Sequence, residues 1–308
     1  SSVLLAFSPA FVFYSDYFIH EIVLVFFLGC FLGGLCKYLK EPKTRWAVFT
    51  GLSAGLMFAT KETSVLSFAA AALAFLLLWR PSAGKPFSFR PVHIVGGLAS
   101  FLVVWLLLFS GFGTHWQGLA DSIRSLWLYP THAARQSAHF HLDLLTWVEF
   151  FEPLSWNEDG IAALAFFGFF IVLHERPDSK SFPSSAFLGL FTLILTIFYS
   201  IIPYKTPWNV LSFLYGMSLL AGTAADRFLR WSAGPKEQWI AAAVLLIFGL
   251  FSPLIQSLFL MTKYAASPSN PYVYGHTTPD IFQMTEKVRQ AAEACGEGEH
   301  LYIQIFAE

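Results

Sequence analysis

Residues 91–111 read "PVHIVGGLASFLVVWLLLFSG" and contain no Asp, Glu, Lys or Arg. A helix of about 20 apolar residues is what it takes to cross roughly 30 Å of hydrocarbon. Several such windows recur along the chain, which restricts it to structures that satisfy every backbone polar group internally. Composition agrees: the chain is 56% hydrophobic and 13% charged, with 34 Phe and a mean hydropathy of +0.56. The sequence is that of an all-α integral membrane protein. Apolar spans are expected near 20–39, 46–60, 64–79, 91–111, 160–174, 185–202, 207–224 and 238–261, with residues 1–14 ending an earlier helix. The short 46–60 and 64–79 spans are expected to tilt or break.

Net charge of −1 excludes a nucleic-acid partner, since no basic stripe faces phosphates. Cys30, Cys36 and Cys295 form no disulfide framework. The chain opens on Ser1 within a hydrophobic stretch, which reads as a piece lacking its N-terminus. No signal peptide is visible.

Basic residues alternate between connections. Lys37, Lys40, Lys43 and Arg45 fall in one, Arg80, Lys85 and Arg90 in the next but one, then Arg176 and Lys180, then Arg227, Arg230 and Lys236. The positive-inside rule makes these loops cytoplasmic. The remaining connections are then external, at the plasma membrane, and they carry the unusual polar groups. Asp16, His20 and Glu21 open the first span. Lys61 and Glu62 lie between the second and third. The external loop 112–159 holds His139 and His141, and "PYKTPWN" supplies Tyr204, Lys205, Trp208 and Asn209. "NPYVYGHTTPD" adds His276 after the last span. Residues 142–152 are expected as a short interfacial helix with Glu149 and Glu152 one turn apart.

Each group also has a plainer reading. Lysines near helix ends snorkel to the interface, and Asp16 and Glu21 suit a helix N-terminus. The His139–His141 alternation is a weak metal pattern, so a metal remains unknown. Tyr and Trp near span ends form an interfacial belt. Gly29 with Gly33, and Gly51 with Gly55, have the spacing of close helix packing. The joint pattern is harder to place this way, because buried charges are expensive unless they pair or bind something. Lysines bracketed by carboxylates suit a lipid with a phosphate head group: lysine takes the phosphate, and a carboxylate takes a proton from an acceptor hydroxyl. Pro203 and Pro207 hold Lys205 in a turn rather than a helix.

"SPAFVFYSDYFIHEI", "GLSAGLMFATKETSVL", "IIPYKTPWNVL" and "NPYVYGHTTPD" resemble, in this order, the flippase-activity-associated proteins of archaeal and bacterial N-glycosylation gene clusters. These are related to the dolichyl-phosphate-mannose protein mannosyltransferases and the lipid A aminoarabinose transferases. The resemblance implies a GT-C-like multi-helix bundle that transfers a sugar from a polyprenyl-phosphate donor to an extracytoplasmic acceptor, in contact with membrane lipid. The polar groups gathered on the external face make Glu21 and Asp16 the candidate catalytic carboxylates, and Lys61, Glu62, Tyr204, Lys205, Trp208, Asn209, His20, His139 and His276 the candidate substrate-binding residues. Members usually carry the principal catalytic aspartate in the first external loop, upstream of this chain, and read Ser-Arg where Ser15 and Asp16 stand here. Different readings in the same pathway are a transporter or flippase component for lipid-linked glycans, and an inactive scaffold. The transmembrane unit is expected over 1–263. Residues 264–308 are expected to start an external α/β domain, with a helix after Thr278 and Pro279 that ends at Gly296, and a strand over "HLYIQIF".

Overall fold

The computed structural model describes residues 1–17, 19–79, 90–136, 158–175, 182–202, 206–231, 234–267, 269–274, 280–296, 298–300 and 302. Among them the regular structure is all helical, with no strand. Ser2–Ala6 (α1) and Pro9–Asp16 (α2) are separated where Ser8 caps the second helix, its Oγ accepting from the Phe11 amide at 3.4 Å, with Pro9 at the first helical position. The apolar start expected as one helix end is therefore two short helices.

His20–Lys40 (α3) carries Glu21 in its first turn and Lys37 and Lys40 in its last, the polarity the helix dipole favours. Thr44–Thr60 (α4) and Ser64–Leu78 (α5) follow, joined by an extended Lys61. Pro91–Phe109 (α6) starts on its proline. Gln117–Gln136 (α7) is a helix inside what the sequence suggested was a loop. Its sequence is too polar to carry a spanning signature. Asp159–His174 (α8) and Ser184–Ile201 (α9) come next. A 3₁₀ turn, Pro207–Asn209, then leads into Val210–Trp231 (α10). The expected 238–261 span is Pro235–Leu246 (α11), a π-helical turn at Ile247–Phe251 and Ser252–Met261 (α12). Pro253 enters that last helix in its first turn, where a missing amide proton costs least. Asp280–Cys295 (α13) ends at Gly296, whose φ of +72° suits glycine. Of the expected strand only His300 and Tyr302 are described, and residues 142–152 lie outside the described residues.

Among the described residues three helices, α3, α6 and α9, are long and apolar enough to cross a membrane. The apolar helices α5 and α8, and the run Gly249–Met261, are shorter. The chain is thus a helical membrane protein. Its core gathers Leu24 and Leu28 of α3, Met57 of α4, Phe187, Phe191 and Leu195 of α9, and Leu211, Phe213 and Leu214 of α10.

Glycines set the closest crossings. A Cβ on Gly51 would stand 2.0 Å from the Gly97 carbonyl oxygen, and one on Gly55 would stand 2.8 Å from Val104, so α4 and α6 run side by side in parallel. A Cβ on Gly29 would stand 2.6 Å from the Tyr215 hydroxyl, whereas one on Gly33 would meet open space. On α8, a Cβ at Gly168 would lie 2.1 Å from the Leu220 carbonyl oxygen and 2.7 Å from its carbonyl carbon. Backbone cannot swing aside as a side chain can. Gly168→Ala is expected to destabilise the fold by about 1–3 kcal/mol, read as a lowered melting temperature in detergent. An unchanged melt would mean that α8 and α10 separate freely.

Candidate functional site

The site forms where α2, the α4–α5 turn, the N-terminus of α8, the turn before α10 and the chain after α12 come together. Tyr14 is fully buried, and its hydroxyl donates to the Tyr272 carbonyl at 2.8 Å. The Tyr14 ring meets the Tyr272 ring edge-on at 5.9 Å and Trp208 at 6.3 Å. Trp208 in turn meets Tyr274 at 5.2 Å. The chain bearing Tyr272 is folded on Asn270, whose Nδ2 donates to the Tyr264 carbonyl at 3.0 Å and whose Oδ1 accepts from the Tyr272 amide at 2.9 Å. Ser257 of α12 ties the same region to the Phe7 carbonyl at 3.3 Å.

Beside this aromatic cluster lies a buried ion pair, Lys61 to Glu21, with Lys61 Nζ donating to Glu21 Oε1. The carboxylate side chain is 5% exposed and the lysine 19%. Glu21 is within electrostatic range of both Tyr14 and Tyr199. The Tyr199 hydroxyl faces Thr63 and Ser212. At the start of α5, Ser64 Oγ and Ser67 Oγ are buried with no hydrogen-bond partner among the described residues. A cation, a helix N-terminus and two unsatisfied hydroxyls can all face negative charge, and together they suit an anionic group.

Glu158 closes the other flank. It precedes α8, is 1% exposed, and accepts from Ser8 Oγ at 2.7 Å and the Ala10 amide at 2.8 Å. One carboxyl thereby caps α2 from a different helix. Burial pushes the Glu158 carboxyl from its ordinary 4.5 up to about 7, against the pull of those two hydrogen bonds. A raised carboxyl favours the protonated fold. Its stabilisation is full below pH 4.5 and lost as pH rises through about 7. The span corresponds to about 3 kcal/mol. Glu158→Gln is expected to remove this decline in melting temperature between pH 4.5 and 7. The same pH slope in the variant would contradict the assignment.

The positions expected from sequence fall into three groups. Glu21, Lys61, Trp208 and Asn209 are at the centre, with Asn209 buried and bonded through its amide to the Thr206 carbonyl at 3.0 Å. Asp16, the last residue of α2, and His20 are exposed nearby, and Glu62 is half-buried next to the pair. Tyr204, Lys205, His139 and His276 lie outside the described residues. Among the described residues no three His, Cys, Asp or Glu side chains gather to hold a metal.

Sequence reasoning missed Glu158, Ser8, Tyr14, Tyr272 and Asn270. The Ser8–Pro9 pair is a helix-start signature that could have marked Ser8. Nothing in the chain's periodicity pairs Ser8 with Glu158.

Residues 1–109 match the family model for dolichyl-phosphate-mannose-protein mannosyltransferase. No curated protein and no solved structure matches the chain. The matched part holds α1 to α6, and with them Asp16, Glu21 and Lys61.

Proposed function

We propose, from the family match over residues 1–109, that this is a membrane glycosyltransferase of the GT-C type. It moves a sugar from a polyprenyl-phosphate donor to an acceptor outside the cytoplasm. The observation that carries the reading is the buried Lys61–Glu21 pair, with the unsatisfied hydroxyls of Ser64 and Ser67 at the start of α5, all inside the matched region.

In this reading Lys61 meets the donor phosphate, and Glu21 holds the lysine in place by its ion pair. The N-terminus of α5 adds its dipole and free hydroxyls. Tyr204, Lys205, Trp208, Asn209, His139 and His276 are the further residues assigned to substrate binding in this reading. The acceptor hydroxyl attacks the sugar's anomeric carbon, the bond from that carbon to the phosphate oxygen breaks, and the phosphate leaves with the electron pair. In this reading Asp16, which is exposed, takes the proton. Eight spans, with these loops outside, complete the proposed topology.

The phosphate contact is tested by native mass spectrometry with a polyprenyl phosphate and the matching polyprenol. The native protein is expected to bind the phosphate-bearing lipid about tenfold to a hundredfold more tightly, the worth of a charge-assisted contact. Lys61→Met should bind the two alike. Equal binding of both lipids by the native protein contradicts the reading.

A further inference from the structure

At the opposite end of the bundle, α8 and α10 leave a groove of about 540 Å³ between them. Its walls are aromatic, formed by Phe167 and Phe170 of α8 and by Phe228 and Trp231 of α10. The Phe167 and Phe228 rings meet edge-on at 5.9 Å. Its rim is cationic. Arg230 pairs with Asp226 at 2.8 Å, whereas Arg227 makes no ion pair among the described residues. Trp231 is 80% exposed and ends α10.

The groove is far from the proposed site. α10 starts beside Trp208 and Tyr14, and the groove lies at its last two turns. Lys37 and Lys40 end α3, and Arg45 and Arg90 open α4 and α6, at the ends of those helices away from Glu21 and Lys61. The positive-inside rule assigns such an end to the cytoplasmic leaflet, which carries the anionic lipids.

We infer that the groove binds an anionic phospholipid of that leaflet, with an acyl chain along Phe167, Phe170 and Phe228 and the phosphate on Arg227. Charge and shape both select this occupant. The flanks of the groove on α8 and α10 present Phe166, Leu173 and Leu229 outward, as surfaces in contact with hydrocarbon do. Asp226 neutralises only one of the two guanidiniums, so the described residues that line the groove keep a net positive charge to match one anionic head group. A zwitterionic lipid would fill the apolar part without using it.

Native mass spectrometry of the purified protein, released from detergent with phosphatidylglycerol or phosphatidylcholine of the same chains, tests this. The native protein is expected to retain phosphatidylglycerol about fivefold to tenfold more strongly, the effect of one well-placed arginine at an interface. Arg227→Gln should bring the two lipids level with an unchanged melting temperature. Arg45→Gln, at the same end but outside the groove, should keep the preference. Phe170→Ala should weaken both lipids together. Equal retention by the native protein overturns the proposal, as does a preference lost equally in Arg45→Gln. A dimer that Arg227→Gln dissolves would make the groove an interface between copies instead.

Discussion

Replacing Lys61 with methionine is expected to lower stability by about 3–5 kcal/mol and to abolish sugar transfer. The stability loss follows from Glu21. Its side chain is 5% exposed, so without the lysine it is a buried carboxylate with no counter-charge. The second replacement separates the two effects. Adding Glu21→Gln to Lys61→Met removes the stranded charge, and most of the lost stability should return. Transfer should not return, because the cation for the phosphate is still missing. Melting temperature and transfer rate, measured on the two single variants and the double, decide the matter. If the double variant recovers transfer along with stability, the pair is a structural strut and Lys61 takes no part in binding. If Lys61→Met melts like the native protein, the pair does not form.

Lys205→Ala is expected to weaken donor binding and transfer about tenfold to a hundredfold, with insertion and folding intact. Lys205 lies outside the described residues. Thr206, the next residue, is buried, and Trp208 packs against both Tyr14 and Tyr274. Lys205→Arg should recover part of the activity, because the charge persists while the planar guanidinium fits a phosphate differently. A lysine that merely reaches the interface predicts near-normal transfer for both variants. Transfer measured on the two side by side tells these apart.

The membrane class was legible in the sequence because an apolar run such as 91–111 has only one kind of solvent. Helix positions followed for the same reason, and α3, α5, α8 and α9 lie close to the expected spans. What sequence could not supply was any contact that joins distant segments. Glu158 was visible as one of several acidic residues before α8, but its role depends on Ser8 and Ala10, some 150 residues away. Tyr14 and Tyr272 looked like members of an interfacial belt, a reading that fits most tyrosines near span ends. Their burial against one another is a tertiary fact. The helix α7 was missed for a local reason: its apolar residues are too sparse to span and too polar in company to stand out. The lysine–carboxylate proximity of Lys61 and Glu21 was suggested by both lying at span ends on one side. The alternating connections place those ends together.

The central claim is sugar transfer from a polyprenyl phosphate, and one measurement meets it head-on. The purified protein is reconstituted in liposomes with a polyprenyl-phosphate donor carrying a radiolabelled sugar and with a mixture of candidate acceptors. Label should pass to an acceptor, and free polyprenyl phosphate should appear in equal amount, with neither event in Lys61→Met. A donor that crosses the bilayer with its sugar still attached, or stays intact on its own leaflet with every acceptor, would contradict the account.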